Sequence, residues 1–154
     1  MKPNMSARLV NVREADVICL LHTDRAPSQA EWSEAIALAD DCAIRGDVRR
    51  LRVLAITDGG GPDLEMREEA VRFYRRHHST PKVAALMTSV FARGITAAVS
   101  LFNPHVRAFS PRQFAEALTH LELPLSSAPR LLKEAADMER LLGPNGCLSL
   151  IHGQ

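Results

Sequence analysis

Leu51-Arg52-Val53-Leu54-Ala55-Ile56-Thr57 runs directly into Asp58-Gly59-Gly60-Gly61-Pro62-Asp63, and a helical pattern begins at Leu64. The first stretch is nearly all apolar and lacks the alternation of a half-exposed strand, so it suits a strand covered on both faces. The glycines and the proline end that strand in a turn. From Leu64 to His77, Met66, Ala70, Phe73 and Tyr74 recur at helical spacing and form an inward stripe. A strand buried on both faces and followed by a helix is the repeating unit of a parallel sheet.

The same unit recurs on either side of this stretch. Val17–His22 is a second unbroken apolar run. A helix follows it, opened by a capping box of Ser28 and Glu31 and closed at Gly46, with Trp32, Ile36, Ala39 and Ala43 on one face. Lys82–Met87 is a third buried strand. Ser89–Phe102 reads as a helix that is apolar almost all round, with Phe91, Ile95, Ala98 and Phe102 in one stripe and Val90, Gly94, Ala97 and Leu101 in another. Val106–Phe109 is a short strand, and Ser110-Pro111 with Gln113 starts another capped helix. Phe114, Ala117, Leu118 and Leu121 face inward there, and Pro124 stops it. A last helix spans Pro129 to Leu142 and ends at Gly143-Pro144.

At the other end, Arg8–Val12 pairs with Val17–His22 as a hairpin across Arg13-Glu14-Ala15-Asp16. The order ββαβαβαβαα predicts an α/β fold: a mixed, mostly parallel sheet with an N-terminal β-hairpin edge and helices packed on it. The 154 residues suit one domain. Its expected extent is 8–143, with 1–7 as a disordered N-terminus and 144–154 as a C-terminal tail. Leu148, Leu150 and Ile151 in that tail form a short docking strand or fray.

Nineteen Lys and Arg against 18 Asp and Glu leave a net charge of +1. So balanced a chain gives no argument for nucleic acid or an anionic membrane surface as a partner. No membrane span is expected, because Arg93 would lie mid-bilayer in the one long apolar stretch. The start, Met1 to Ser6, has no apolar segment of the kind a signal peptide needs. Cys19, Cys42 and Cys147 are odd in number and widely spaced, so the expectation is reduced thiols and a cytoplasmic setting, with Cys19 and Cys42 as small core residues. The six histidines include no pair at metal-site spacing, and no metal or cofactor is implied.

Among candidate sites, Asp58, Gly59, Gly60 and Gly61 are the sharpest local feature. They stand where the carboxyl end of a strand meets a helix, the place where open α/β sheets bind ligands. Glycines there let backbone N–H groups approach an anion, but the pattern is neither a dinucleotide fingerprint nor a Walker loop, and Asp58 and Asp63 would repel phosphate. A turn with Asp63 as helix cap explains the same letters. Arg72, Arg75, Arg76, His77, His78 and Lys82 form a basic cluster; it reads as a solvated helix end or as a contact for an acidic partner. Ser89 and Arg93, at the start of the apolar helix, are the second candidate contact. The small residues Ala92, Gly94, Ala97 and Ala98 permit close packing or a homodimer. Asp24 and Asp58 could share one rim of the sheet as an acid/base pair, or serve as cap and turn residues.

These elements resemble a small α/β regulatory module of the STAS type, specifically the SpoIIAA-like branch, which also resembles lipid-carrier CRAL-TRIO domains. The segments that carry the resemblance are Val17–Asp24, Leu51–Asp58, Lys82–Ser89 and Asn103–Phe109 with the helix Ser110–Leu121, about residues 8 to 123. The resemblance implies a non-enzymatic regulatory or protein-interaction module, its contact surface at Asp58–Asp63 and the start of the Ser89 helix. The alternatives are a carrier or sensor of a small apolar or lipid ligand held against Phe91, Ile95 and Phe102, and an enzyme with a carboxylate site at the strand ends. STAS switches carry a phosphorylatable Ser or Thr at the second long strand's helix junction. Here that junction has no serine and Thr57 precedes the glycines, so the switch does not carry over.

Overall fold

In β2 (Asp16–His22), Val17, Cys19 and Leu21 point to one side of the sheet and Ile18, Leu20 and His22 to the other, and all six are buried. A strand with no polar face needs a cover on each side, and the rest of the chain supplies both. The computed structural model describes residues 2–90, 92–94 and 104–153. Five strands form one sheet in the order β1 (Met5–Asn11), β2, β3 (Leu51–Thr57), β4 (Lys82–Met87) and β5 (Val106–Phe109). β1 is antiparallel to β2, and the other neighbours are parallel, so the mixed sheet with a hairpin edge expected from the sequence is the one observed.

Strands laid side by side in chain order put their crossover helices on the same face when every crossover has the same hand. Accordingly α1 (Gln29–Arg45) and α2 (Leu64–His77) share one hydrophobic cluster with Ile18, Leu20 and Leu51. The opposite face is covered by α3 (Phe114–His120), α4 (Ala128–Leu142) and α5 (Gly146–His152), which close over Val17, Leu21, Leu54, Ile56 and Leu86. The result is three layers.

Caps fix the helix starts. Ser28 Oγ accepts from Glu31 N–H at 3.1 Å while Glu31 Oε1 accepts from Ser28 N–H at 2.7 Å, the capping box read from the sequence. Asp63 Oδ1 accepts from Met66 N–H at 2.9 Å and opens α2. Ser110 N–H donates to Gln113 Oε1 at 2.9 Å, and a 3₁₀ turn, Pro111–Gln113, leads from there into α3.

The structure departs from the sequence reading at both ends. β1 starts at Met5 rather than Arg8, and Met5 itself is buried, so residues 5–7 belong to the sheet and not to a disordered N-terminus. The reason is an alternation that Ser6 and Arg8 obscure: Met5, Ala7 and Leu9 share the face toward α1. The tail is neither strand nor frayed. It is α5, whose Cys147, Leu148 and Ile151 sit in the core. Of the helix expected over Ser89–Phe102, Val90 and residues 92–94 are helical; its stripes through Phe91, Ile95, Ala97, Ala98, Leu101 and Phe102 lie outside the described residues. Among the described residues, no helix is long and apolar enough to cross a membrane.

Asn145 anchors the C-terminal helix. Its Oδ1 accepts from Leu148 N–H at 3.0 Å, and its Nδ2 donates to the His22 carbonyl at 2.9 Å, with the side chain fully buried. Asn145→Ala removes two buried hydrogen bonds and is expected to cost about 2–4 kcal/mol. The urea midpoint should fall at unchanged slope, and Asn145→Asp, which sets a buried carboxylate against the His22 carbonyl, should fall at least as far. An unmoved midpoint for the alanine variant would refute this role of α5.

Candidate functional site

The two faces of the sheet are covered differently. On the α3–α5 side large aliphatic residues interlock. On the other side α2 packs chiefly against α1 rather than against the sheet. Trp32 Nε1 donates to the Met66 carbonyl at 3.0 Å, and Asp40 on α1 takes Arg76 at 2.9 Å and His77 at 2.7 Å from α2. Those two members of the basic cluster are therefore occupied in joining the helices, and Lys82 pairs with Glu122 at 2.9 Å. Beneath α2 the sheet presents small or branched residues, Val53 and Ala55 from β3 with Val83 and Ala85 from β4. A cavity of about 500 Å³ remains between them, walled by Trp32 and Phe73. That volume is within the usual range of small-molecule sites, and its surface is overwhelmingly apolar.

At the carboxyl ends of the parallel strands the cavity changes character. Register places His22, Thr57 and Met87 side by side there, and Gly59, Gly60 and Gly61 form the rim. The Thr57 hydroxyl donates to the Gly60 carbonyl and accepts from Gly59 N–H at 3.0 Å. Gly60 N–H donates to the Thr23 carbonyl at 2.8 Å. A Cβ on Gly60 would stand 2.1 Å from the Arg25 carbonyl oxygen and 2.6 Å from that of Thr23, so only glycine lets these two loops meet. Gly59, at φ 126°, adopts a backbone conformation that side chains disfavour. The glycines shape the end of the cavity by close approach of backbone.

His22 is 3% exposed, and among the described residues its Nδ1 has no hydrogen-bond partner. Burial pulls its pKa down to about 4, against a smaller opposing effect of the Glu31 charge, so the imidazole is neutral at pH 7. The sequence reading treated this histidine only as lacking a metal partner. Its signal was an apolar run, Val17-Ile18-Cys19-Leu20-Leu21, that ends on a polar ring one step before the loop.

The candidate residues chosen from the sequence divide. Gly59, Gly60 and Gly61 line the cavity; Asp58, Ser89 and Arg93 do not. Asp58 turns toward α5, where its carboxylate oxygens accept from Gly146 N–H at 3.1 Å and Cys147 N–H at 3.2 Å. It therefore holds the N-terminus of the last helix rather than pairing with Asp24. Ser89 Oγ accepts from Ala92 N–H at 3.1 Å as a cap, and Arg93 Nη1 donates to the Met87 carbonyl at 2.9 Å. Burial pushes the Cys19 and Cys147 thiols up to about 12, which removes them as nucleophiles at neutral pH. Among the described residues no group of three His, Cys, Asp or Glu could hold a metal. A second, more polar groove of about 610 Å³ lies between β5 and α3, where Lys82, Arg107 and Glu116 mix charges of both signs.

This sheet order and helix arrangement define a SpoIIAA-like α/β fold. The chain is similar to a solved structure, an uncharacterized protein from the DUF3478 family with a SpoIIAA-like fold from Shewanella loihica. The TM-score is 0.54 at 12% identity, covering 77% of this chain and 94% of that one. No family model and no curated protein matches the chain.

Gly60→Ala forces two backbones apart and is expected to destabilise by about 1–3 kcal/mol or prevent folding. Gly61→Ala, where an added Cβ meets nothing within 4 Å, should melt within about 0.5 kcal/mol of the parent. Equal melting of the two variants would contradict the close approach of the loops.

Acid should weaken the fold through His22. The unfolded chain takes its proton near pH 6.5 and the folded chain only near pH 4, so stability is full above about 6.5 and declines as pH falls toward 4. About 3 kcal/mol is at stake, from the shift at 1.36 kcal/mol per unit. Chemical denaturation between pH 4.5 and 7 should show this slope in the parent and a flatter one in His22→Phe. Parallel curves for the two would count against a buried neutral imidazole.

Proposed function

We propose that this SpoIIAA-like domain is a non-catalytic carrier or sensor of a small apolar ligand, which it holds between the sheet and α2. The observation that carries the reading is the cavity of about 500 Å³ floored by Val53, Ala55, Val83 and Ala85. A pocket of this size, lined chiefly by apolar side chains, has the volume and character of a small-molecule site, which supports the reading. The balanced net charge supports an apolar occupant over a phosphorylated or polyanionic one. The likeness of the SpoIIAA-like branch to lipid-carrier CRAL-TRIO domains is in keeping with this reading. The regulatory reading drawn from STAS modules has the fold in its favour but no phosphorylatable serine at the junction, and Asp58, offered as its contact, faces α5. Phe91, Ile95 and Phe102, first considered as the ligand's wall, lie outside the described residues; the α1–α2 face takes their place in this proposal.

Diphenylhexatriene, a hydrocarbon that fluoresces when removed from water, tests the reading. It should bind the parent protein saturably and one to one. Ala55→Phe, which fills the floor of the cavity from a partly buried position, should abolish that binding and leave the melting temperature unchanged or raised. Ala85→Leu is the milder second variant. No saturable binding by the parent, or binding that both variants leave intact, would overturn the proposal. Native mass spectrometry of the freshly purified protein then weighs what it carries.

A further inference from the structure

The cavity wall is mostly apolar, with Arg67 and Tyr74 of α2 on one side and Thr57 and His22 at the carboxyl ends of the strands. Among the described residues one buried polar atom, His22 Nδ1, has no partner. His22 lies on the same strand face as Ile18 and Leu20, which also line the cavity, so its ring occupies the cavity side of the sheet. We propose that His22 is the anchor for an uncharged polar head, a hydroxyl or carbonyl oxygen, on an otherwise apolar ligand whose tail lies over Ala55 and Ala85. The inference rests on the carrier reading and adds the chemical class of the ligand.

Three observations carry it. First, a buried polar nitrogen without a partner costs free energy, and nine in ten such groups in folded proteins are satisfied; among the described residues His22 Nδ1 has none, and a ligand head hydrogen-bonded to this cavity-lining ring would offset that cost. Second, neighbouring polar side chains on the wall are already engaged: the Thr57 hydroxyl with Gly59 and Gly60, and Trp32 Nε1 with the Met66 carbonyl. They hold the site's shape, while Nδ1 retains its hydrogen-bonding capacity. Third, the surroundings select against a charged head. Burial keeps the ring neutral at pH 7, and the carboxylate of Glu31 is held by Ser28 N–H at 2.7 Å and Asn4 N–H at 2.9 Å. A neutral imidazole donates or accepts one hydrogen bond according to its tautomer but does not neutralise an anion. The rival anchor is Arg67, an exposed residue of α2 that lines the same cavity and would favour a carboxylate.

The experiment displaces diphenylhexatriene with 1-decanol and with decanoate. In the parent, decanol should compete better than decanoate at pH 7. His22→Phe keeps a ring of similar shape without nitrogens, so decanol, referred to each variant's own diphenylhexatriene affinity, should compete about three- to tenfold less well than in the parent, the worth of one net hydrogen bond. His22→Leu repeats the comparison should the phenylalanine intrude. The ¹⁵N resonance of His22 Nδ1 should shift on adding decanol and stay put on adding diphenylhexatriene. Equal decanol affinity with and without His22, or a preference for decanoate that Arg67→Gln removes, would overturn the anchor while leaving the carrier reading intact. Failure of diphenylhexatriene itself to bind the parent would take both down.

Discussion

Three parts of the chain meet at the carbonyl oxygen of His22. Asp58 N–H reaches it from the end of β3 at 3.1 Å, and Asn145 Nδ2 reaches it from the start of the C-terminal helix at 2.9 Å. The Asp58 carboxylate then turns to the first N–H groups of that same helix. One residue of β2 thereby ties its strand to its parallel neighbour β3 and to the layer that seals one face. The backbone of His22 is held from the α5 side while its ring projects to the other. The face toward α5 is thus the closely packed one, and the cavity lies on the other.

Much of this architecture is written in local patterns. Unbroken apolar runs at Val17–Leu21 and Leu51–Ile56 announce strands covered on both sides, and Ser28 with Glu31 sets a helix start almost to the residue. The parts that could not be read share a physical cause: their partners are distant in sequence. Asp58 looks like a ligand-binding carboxylate beside glycines, yet its partners are Gly146 and Cys147, some ninety residues on. Gly146–His152 is only seven residues long, and without knowledge of the Asn145 contact to β2 its Leu148 and Ile151 suit a strand equally well. The cavity is less legible still. Ala55 and Ala85 read as ordinary core residues; only the register that sets them side by side, under a helix propped on α1, turns their small size into space.

The glycine rim shows how a correct location can come with the wrong chemistry. Ligands gather at the carboxyl ends of parallel strands because helix N-termini and loops converge there. Here Gly60 brings the turn after β3 against the backbone of Thr23 and Arg25, and the Thr57 hydroxyl binds into the turn. The N–H of Gly59 and that of Gly60 are consumed in that junction rather than aimed at an anion. What the place offers is an apolar pocket rimmed by backbone, with the neutral imidazole of His22 in its wall.

A neutral ring in that position couples occupancy to stability. Among the described residues the site leaves two costs with the folded protein, an apolar floor that is only partly covered and a buried nitrogen without a hydrogen bond. A ligand that covers the first with its tail and the second with its head removes both, and it does so only in the folded state. Its binding free energy therefore adds to folding through mass action. Protonation of the same ring acts in the opposite sense, since a charged imidazole is disfavoured by burial and favoured in the unfolded chain. On the proposed carrier reading, ligand and proton would compete through His22: a ligand that needs a neutral partner would raise the acid needed to unfold the domain, and acid would release it by charging its anchor.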